Sequence, residues 1–236
     1  MSGCGLFVTG TDTGVGKSTV AVAIVRQLVG RGLRVGVYKP VASGVGDGGG
    51  TASDAALLWE AAGQPLSIAA VCPQAFAAAI APPASARAMG RTVDDRLLHD
   101  GFSRWREASE IVIVEGAGGL FSPLSDATLN ADLARALGLP LVVVDGAGLG
   151  AIGRTLAVVE AARSRGLQVA AVVLSQVERL TGSLDDAAST LAIAVESGRD
   201  LAVRINPVPV AVLGHGAERI EPDLDWRGLA SCHGQA

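Results

Sequence analysis

Basic clusters, long apolar runs and an even set of cysteines are all missing from this chain, and each absence narrows what it can be. No run of Lys or Arg occurs, and the formal net charge is −4, which argues against a nucleic-acid surface. No stretch reaches the roughly 20 apolar residues needed to span a bilayer. The Ala-rich segment 69–81 is too short and runs into Pro82 and Pro83. Residues 1–8 have neither a basic n-region nor a long apolar h-region, so no secretory leader and a cytoplasmic location are expected. The three cysteines, Cys4, Cys72 and Cys232, have no metal or redox spacing, and their odd number argues against a disulfide framework. Free thiols in a reducing compartment are expected.

What is present points to a folded nucleotide-binding protein. Hydrophobic residues are 49% and charged residues 18% of the 236, a composition that buries a core, and the length suits one α/β domain over 1–236. The organising stretch is 5–19. Residues 6–9 are apolar and β-prone, so they read as a buried strand. Gly10, Gly14 and Gly16 then allow a turn with its N–H groups on one concave side, with Val15 between the last two. Lys17, Ser18 and Thr19 open a helix in which Val20, Ile24 and Leu28 share a face. A strand, a glycine loop, Lys-Ser and a helix make a phosphate cradle: amides and helix dipole meet the anion, Lys17 neutralises charge, and the Ser18 hydroxyl can hold Mg²⁺. The spacing is irregular, because five residues separate Gly10 from Gly16 where a general phosphate loop has four and would need glycine at position 11, which is Thr11.

Further along, residues 35–38 read as a second strand whose carboxyl end carries Lys39. Ligands of open α/β sheets sit at that rim, so Lys39 can face the same anions as Lys17. Residues 44–52 are glycine-rich and read as a loop that orders over a ligand. Ser53 reads as the N-cap of a helix over 54–62, with Asp54 in its first turn. Asp54 either complements the helix dipole or returns a carboxylate to the rim for Mg²⁺, and spacing does not choose between these. Residues 73–83 read as irregular. Residues 93–109 read as a helix with Val93, Leu97, Leu98, Phe102 and Trp105 on its apolar face, where His99 has a solvent or packing role. Residues 111–114 form a β-branched strand that ends in Glu115 and the glycine turn 116–119, the layout that delivers an acid to the metal beside a phosphate loop. A loop over 120–126, a short helix over 131–137, a strand over 141–145, a helix over 150–165, a strand over 169–174, a helix over 182–198 and a last strand over 208–213 follow. This alternation predicts a three-layer α/β fold, a mostly parallel sheet with helices on both faces.

These blocks together resemble the dethiobiotin synthetases, a family of the P-loop NTPase superfamily. The likeness rests on Gly-Thr-Asp-Thr-Gly-Val-Gly-Lys-Ser at 10–18, Lys-Pro-Val-Ala-Ser-Gly at 39–44, Ser-Asp at 53–54, and Val-Glu-Gly-Ala-Gly-Gly at 114–119 with Pro-Leu-Ser-Asp at 123–126. It covers the chain to about residue 175, and the five-residue spacing of the phosphate loop is the one this family has. The resemblance implies ATP-dependent carboxylation of the vicinal diamine 7,8-diaminopelargonate with CO₂, through a carbamate and a carbamic–phosphoric anhydride. It implies Lys39 and Lys17 as the catalytic cations and Mg²⁺ held by Ser18, Asp54 and Glu115, which settles Asp54 as a metal ligand. ATP is expected on Gly14, Val15, Gly16, Lys17, Ser18, Thr19, Asp54, Glu115, Gly116, Ala117 and Gly118. Its base is expected near Ser175, Gln176, Gly214, His215 and Gly216. Thr13 and Ser43 match positions that hydrogen-bond the diamine or carbamate. The family further implies a homodimer.

Three positions depart from the family. An asparagine that helps hold the substrate's distant carboxylate is replaced by Gly153, and Arg154 beside it is expected to take that carboxylate electrostatically. An Asn-Asp pair that reads adenine in some members is Ser175-Gln176 here. Gly14 stands where some members carry an acid. Among other readings, a partitioning-type switch ATPase needs a lysine at position 12, which is Asp12; a cobyrinate-type amidotransferase needs a glutaminase domain, for which 236 residues leave no room; a non-catalytic nucleotide-binding regulator is opposed by intact Lys17, Lys39, Ser18, Asp54 and Glu115.

Overall fold

The computed structural model describes residues 4–45, 53–176 and 184–232, with side chains for 4–45, 53–176 and 191–230. The strands are β1 (Cys4–Gly10), β2 (Val35–Tyr38), β3 (Ala42–Ser43), β4 (Ala75–Phe76), β5 (Ile111–Gly119), β6 (Leu141–Gly146), β7 (Val169–Ser175), β8 (Val210–Leu213) and β9 (Ser231–Cys232). The helices are α1 (Lys17–Gly30), α2 (Ser53–Ala61), α3 (Ile68–Val71), α4 (Pro82–Ala88), α5 (Asp95–Ala108), α6 (Asn130–Leu137), α7 (Ala151–Ser164), α8 (Leu184–Arg204) and α9 (Trp226–Leu229).

The main sheet runs β2-β5-β1-β6-β7-β8, and all five of these pairings are parallel. The β-branched runs 111–114, 142–144 and 172–173 are buried on both faces, which is how the central strands of a covered parallel sheet read. The chain moves to one side of β1 for β2 and back across it from β5 through β8. Right-handed crossovers therefore set α1 on one face and α5, α6, α7 and α8 on the other, a three-layer α/β fold. Because all these strands are parallel, the loops after β1, β2, β5, β6, β7 and β8 share one rim.

The chain beyond β8 covers the α1 face. Val212 and Glu221 form an antiparallel bridge, Gln27 of α1 and Arg31, its C-cap, both donate to Asp223 at 2.9 Å, and the fully buried Trp226 donates its indole N–H to Gln27. The segment ends in β9, antiparallel to β1 with Cys232 opposite Cys4. That pairing is open because β6 engages β1 only from Phe7 onward.

Several expectations are corrected. Cys4 is disulfide-bonded, and Cys72 is the free cysteine among the described residues; an odd count rules out complete pairing but not one bridge. Residues 73–83 are not irregular throughout, since β4 pairs with β3 and α4 starts at Pro82, where a missing N–H costs nothing. The last strand is β9, too short to show periodicity. Ser53 is the first residue of α2 rather than its cap. Leu97 is 40% exposed, and α5 instead uses the carbonyls of Leu97 and Leu98 to accept from the buried Tyr38 hydroxyl. Strand β5 does not end at Glu115 but runs on to Gly119, keeping Glu115 opposite Val8 of β1. Most of the loop expected to order over a ligand, 46–52, lies outside the described residues.

Gly101 of α5 faces that same tyrosine, and a Cβ built on it would collide with the Tyr38 ring and hydroxyl. Gly101→Ala should therefore destabilise the fold by about 1–3 kcal/mol through overpacking, although a helical glycine replaced by alanine ordinarily gains about 1 kcal/mol. A urea melt of the variant checks the sign.

Candidate active site

At the rim, β1 ends at Gly10 and the chain turns through 11–16 into α1. Gly14 and Gly16 have φ of +76° and +91°, left-handed values that a residue with a Cβ adopts only at a cost. Gly16 is the N-cap of α1, no side chain caps the helix, and its first turn carries no acid. The first-turn amides and the positive end of the dipole thus remain for an anion. Lys17 folds back over the loop and donates to the Asp12 carbonyl at 2.8 Å.

Lys39 follows β2 and is 5% exposed. Its ammonium lies 2.7 Å from Glu115 Oε1 and 2.9 Å from Asp54 Oδ2. Ser18 Oγ donates to the same Glu115 Oε1 at 2.7 Å. Glu115 is 1% exposed, and its Oε2 has no hydrogen-bond partner among the described residues. Burial alone pushes the Lys39 pKa down, but the carboxylates of Glu115 and Asp54 more than offset it and hold the ammonium above the ordinary lysine value. Lys17 goes the other way. Its burial outweighs the pull of Glu115, the Lys39 charge adds to the effect, and its pKa is lowered. Two cations are thus held near one cleft, one firmly charged and one predisposed to gain from an arriving anion.

The cleft holds about 360 Å³, and its walls include Thr13, Ser43, Asp54, Glu115 and the backbone of 116–118, with Gly14, Gly16, Lys17, Ser18 and Thr19 along the loop side. Val15 is buried beneath the loop. Larger and more apolar depressions of about 550 Å³ between α7 and α8 and about 630 Å³ between α8 and β8 lie away from the phosphate loop. Convergent charge, not size, singles out the smaller one. Ser175, Gln176, Gly214, His215 and Gly216 form a second cluster on the same rim, tied where Gln176 Oε1 accepts the His215 N–H at 3.1 Å. Arg154 is not among the cleft residues. Its guanidinium donates to the buried Asp145 at 3.2 Å and to the carbonyls of Leu149 and Gly146 at 3.1 and 3.3 Å.

Sequence reasoning missed Asn130. Fully buried at the start of α6, it accepts the Ala117 N–H at 3.1 Å and donates to the carbonyls of Ala117, Gly119 and Ser122 at 2.7, 2.8 and 3.2 Å. It pins the strand end that forms the cleft wall, and a Cβ on Gly116 would collide with it. Nothing local in the sequence marks it. Asp145 was also missed, although an acid closing a β-branched strand is the pattern that drew attention to Glu115.

A family model described as an AAA domain matches residues 4–211. The chain is 44% identical over 185 residues to the ATP-dependent dethiobiotin synthetase BioD of Rhodopirellula baltica, covering 73% of this chain and 72% of that protein. It is 43% identical over 226 residues to the BioD of Anaeromyxobacter dehalogenans strain 2CP-C, covering 96% and 94%. Among solved structures it is similar to chloroplast FtsY from Physcomitrella patens, with a TM-score of 0.50 at 17% identity over 95% of this chain and 63% of that one. It is equally similar to the signal recognition particle receptor FtsY from Elizabethkingia anophelis in complex with GDP, with a TM-score of 0.50 at 16% identity over 94% and 60%. The chain spans less than two thirds of either FtsY chain, and that likeness concerns the three-layer P-loop fold alone.

Two outcomes test the electrostatics. Lys39→Met leaves Glu115 buried and short of its cation, so stability in urea at pH 7 should fall by about 3–5 kcal/mol, and adding Glu115→Gln should return much of the loss. Lys17 has a lowered pKa that a bound polyphosphate raises. Nucleotide binding at alkaline pH should therefore take up a proton and weaken as pH rises further, read by calorimetry in buffers of different ionisation enthalpy.

Proposed function

The chain belongs to the family of ATP-dependent dethiobiotin synthetases, and on that premise we propose how its cleft carries out the reaction. The enzyme forms dethiobiotin in biotin biosynthesis with ATP as co-substrate. A carbamate formed from CO₂ and one amine of 7,8-diaminopelargonate takes the γ-phosphoryl group of ATP. The second amine then attacks the carbamoyl carbon, closing the ureido ring as phosphate leaves. Such a transfer requires positioned positive charge more than a covalent catalyst.

The observation that carries this reading is the second lysine. Lys39 is held charged between Glu115 and Asp54, facing the cleft that the phosphate loop also lines. In our reading the first-turn amides of α1 and Lys17 bind the β- and γ-phosphates. Lys39 stabilises charge on the transferring group and the carbamate, and the hydroxyls of Thr13 and Ser43 orient the diamine. A carbamate enclosed between the loop and the wall at 116–118 is protected from water and from loss of CO₂. The base is assigned to Ser175, Gln176 and the turn 214–216.

Mg²⁺ fits the donors present. Ser18 Oγ and the carboxylates of Asp54 and Glu115 are all hard oxygen ligands, and Glu115 Oε2 is unclaimed among the described residues. When bound, the ion would neutralise phosphate charge alongside the lysines. We further assign the chain a single-domain subunit, a cytoplasmic location and a homodimeric state. No described helix is long and apolar enough to cross a membrane. The 99% exposed Leu149 supports a face for a second copy.

Phosphate release from ATP and Mg²⁺ should require both bicarbonate and 7,8-diaminopelargonate. It should fall at least about 100-fold in Lys39→Ala, assayed where circular dichroism shows that variant folded. Release indifferent to the diamine would move the reading to a switch ATPase, and ATP binding without release to a regulator.

A further inference from the structure

The phosphate loop is held at both ends by a buried carboxylate. At its exit, Ser18 donates to Glu115 on β5. At its entry, Thr11 donates its N–H to the Val144 carbonyl at 2.9 Å and its hydroxyl to Asp145 Oδ1 at 2.7 Å, both on β6. The two acids lie on the two strands that flank β1. Asp145 is fully buried. Its remaining partners come from the first turns of α7: Arg154 Nε at 3.2 Å on Oδ1 and Thr155 Oγ1 at 3.2 Å on Oδ2. Arg154 supplies the cation that a buried carboxylate needs, in the geometric role that Lys39 plays for Glu115.

The guanidinium also reaches into the turn between β6 and α7. That turn, residues 146–150, contains Gly146, Gly148 and Gly150, and a Cβ built on Gly146, Gly148 or Gly153 would meet nothing within 4 Å. The turn is held from inside, by the buried Ala147 with its N–H on the Ser175 carbonyl at 2.8 Å and by the Arg154 bonds to the Gly146 and Leu149 carbonyls. All three described guanidinium contacts are internal.

We propose that Arg154 is a positioning residue of the synthetase. Through Asp145 it sets Thr11, and with it the entry of the phosphate loop, and it ties the loop to the β6–α7 turn instead of binding the tail carboxylate of the diamine. The inference rests on the proposed reaction for its kinetic arm. It predicts that the arginine is felt at the nucleotide and that a carboxylate on the substrate makes no difference to the loss.

The test uses the full chain with Arg154→Gln, Asp145→Asn and the double variant. Each is assayed with 7,8-diaminopelargonate and with 7,8-diaminononane, which lacks the carboxylate. Arg154→Gln should raise the ATP KM about 5–10-fold and lower turnover of both diamines by the same factor, since interactions within one network are commonly worth that much. Asp145→Asn should reproduce the effect, the double variant should be no worse than Arg154→Gln alone, and Arg154→Lys should recover part of it. A loss confined to the carboxylated diamine with ATP KM unchanged, or losses that add in the double variant, would overturn the proposal. If the charge variants fail to fold, Thr11→Val removes the hydroxyl without stranding a charge and should raise the ATP KM alike; an unchanged KM would overturn the proposal. Wild-type protein that turns over neither diamine would refute the functional reading instead. The Kd of a non-hydrolysable ATP analogue with Mg²⁺ then decides the matter, a 5–10-fold rise in Arg154→Gln and Thr11→Val supporting the inference and no change sinking it.

Discussion

Taking the Glu115 carboxylate out of water in the middle of a parallel sheet obliges a cation to go with it, and Lys39 is that cation. The desolvation of two such charges costs several kcal/mol each unless geometry and hydrogen bonds repay it. Here the ammonium is shared with Asp54 and the carboxylate with Ser18, so one ion pair links β2, β5, α1 and α2. These are the elements that wall the cleft. The site is thus built around a constraint of burial before any ligand arrives, and its charge is fixed in place by the same contacts that hold the fold together.

A second buried acid mirrors the first across β1. Asp145 with Arg154 and Glu115 with Lys39 each neutralise a carboxylate at the rim, and each acid accepts a hydroxyl from one end of the phosphate loop. The loop itself is glycine-rich and has little packing of its own, so its position is inherited from these two strands. Preorganisation of this kind is what phosphoryl chemistry rewards, because amides and lysines aimed in advance need no rearrangement as charge moves. Asn130 extends the arrangement by fixing the backbone of 117–122 on the opposite wall. On the far face, Trp226 and Asp223 bind the C-terminal segment to α1, whose first turn is the phosphate site.

Much of the fold was legible in the sequence for identifiable reasons. Runs such as 111–114 and 142–144 are β-branched and uninterrupted, and buried parallel strands leave that mark because both faces are covered. The glycine loop, Lys17 and Ser18 are contiguous, so local spacing alone identifies them. The short elements escaped. Strands β3, β4 and β9 have two residues each, too few for a period, and exist only because a neighbouring edge is free to pair. Leu97 was misplaced because it borders the buried stripe of α5, which is Leu98, Phe102 and Trp105.

The alternation of strands and helices, the phosphate loop and the acid that follows the run 111–114 can be read from the chain alone, since these depend on neighbours within a few positions. Which charges meet is settled by the packing of the strands. That Lys39 lies between Asp54 and Glu115, that Arg154 faces Asp145, that Asn130 holds 117–122, and that Cys4 is bonded while Cys72 is free all depend on strand order and crossover. Partners 8 to 134 residues apart carry no mark of each other in the chain. Burial makes such pairings obligatory, because an unpaired charge inside the sheet is too costly to keep, and topology selects which partner is within reach.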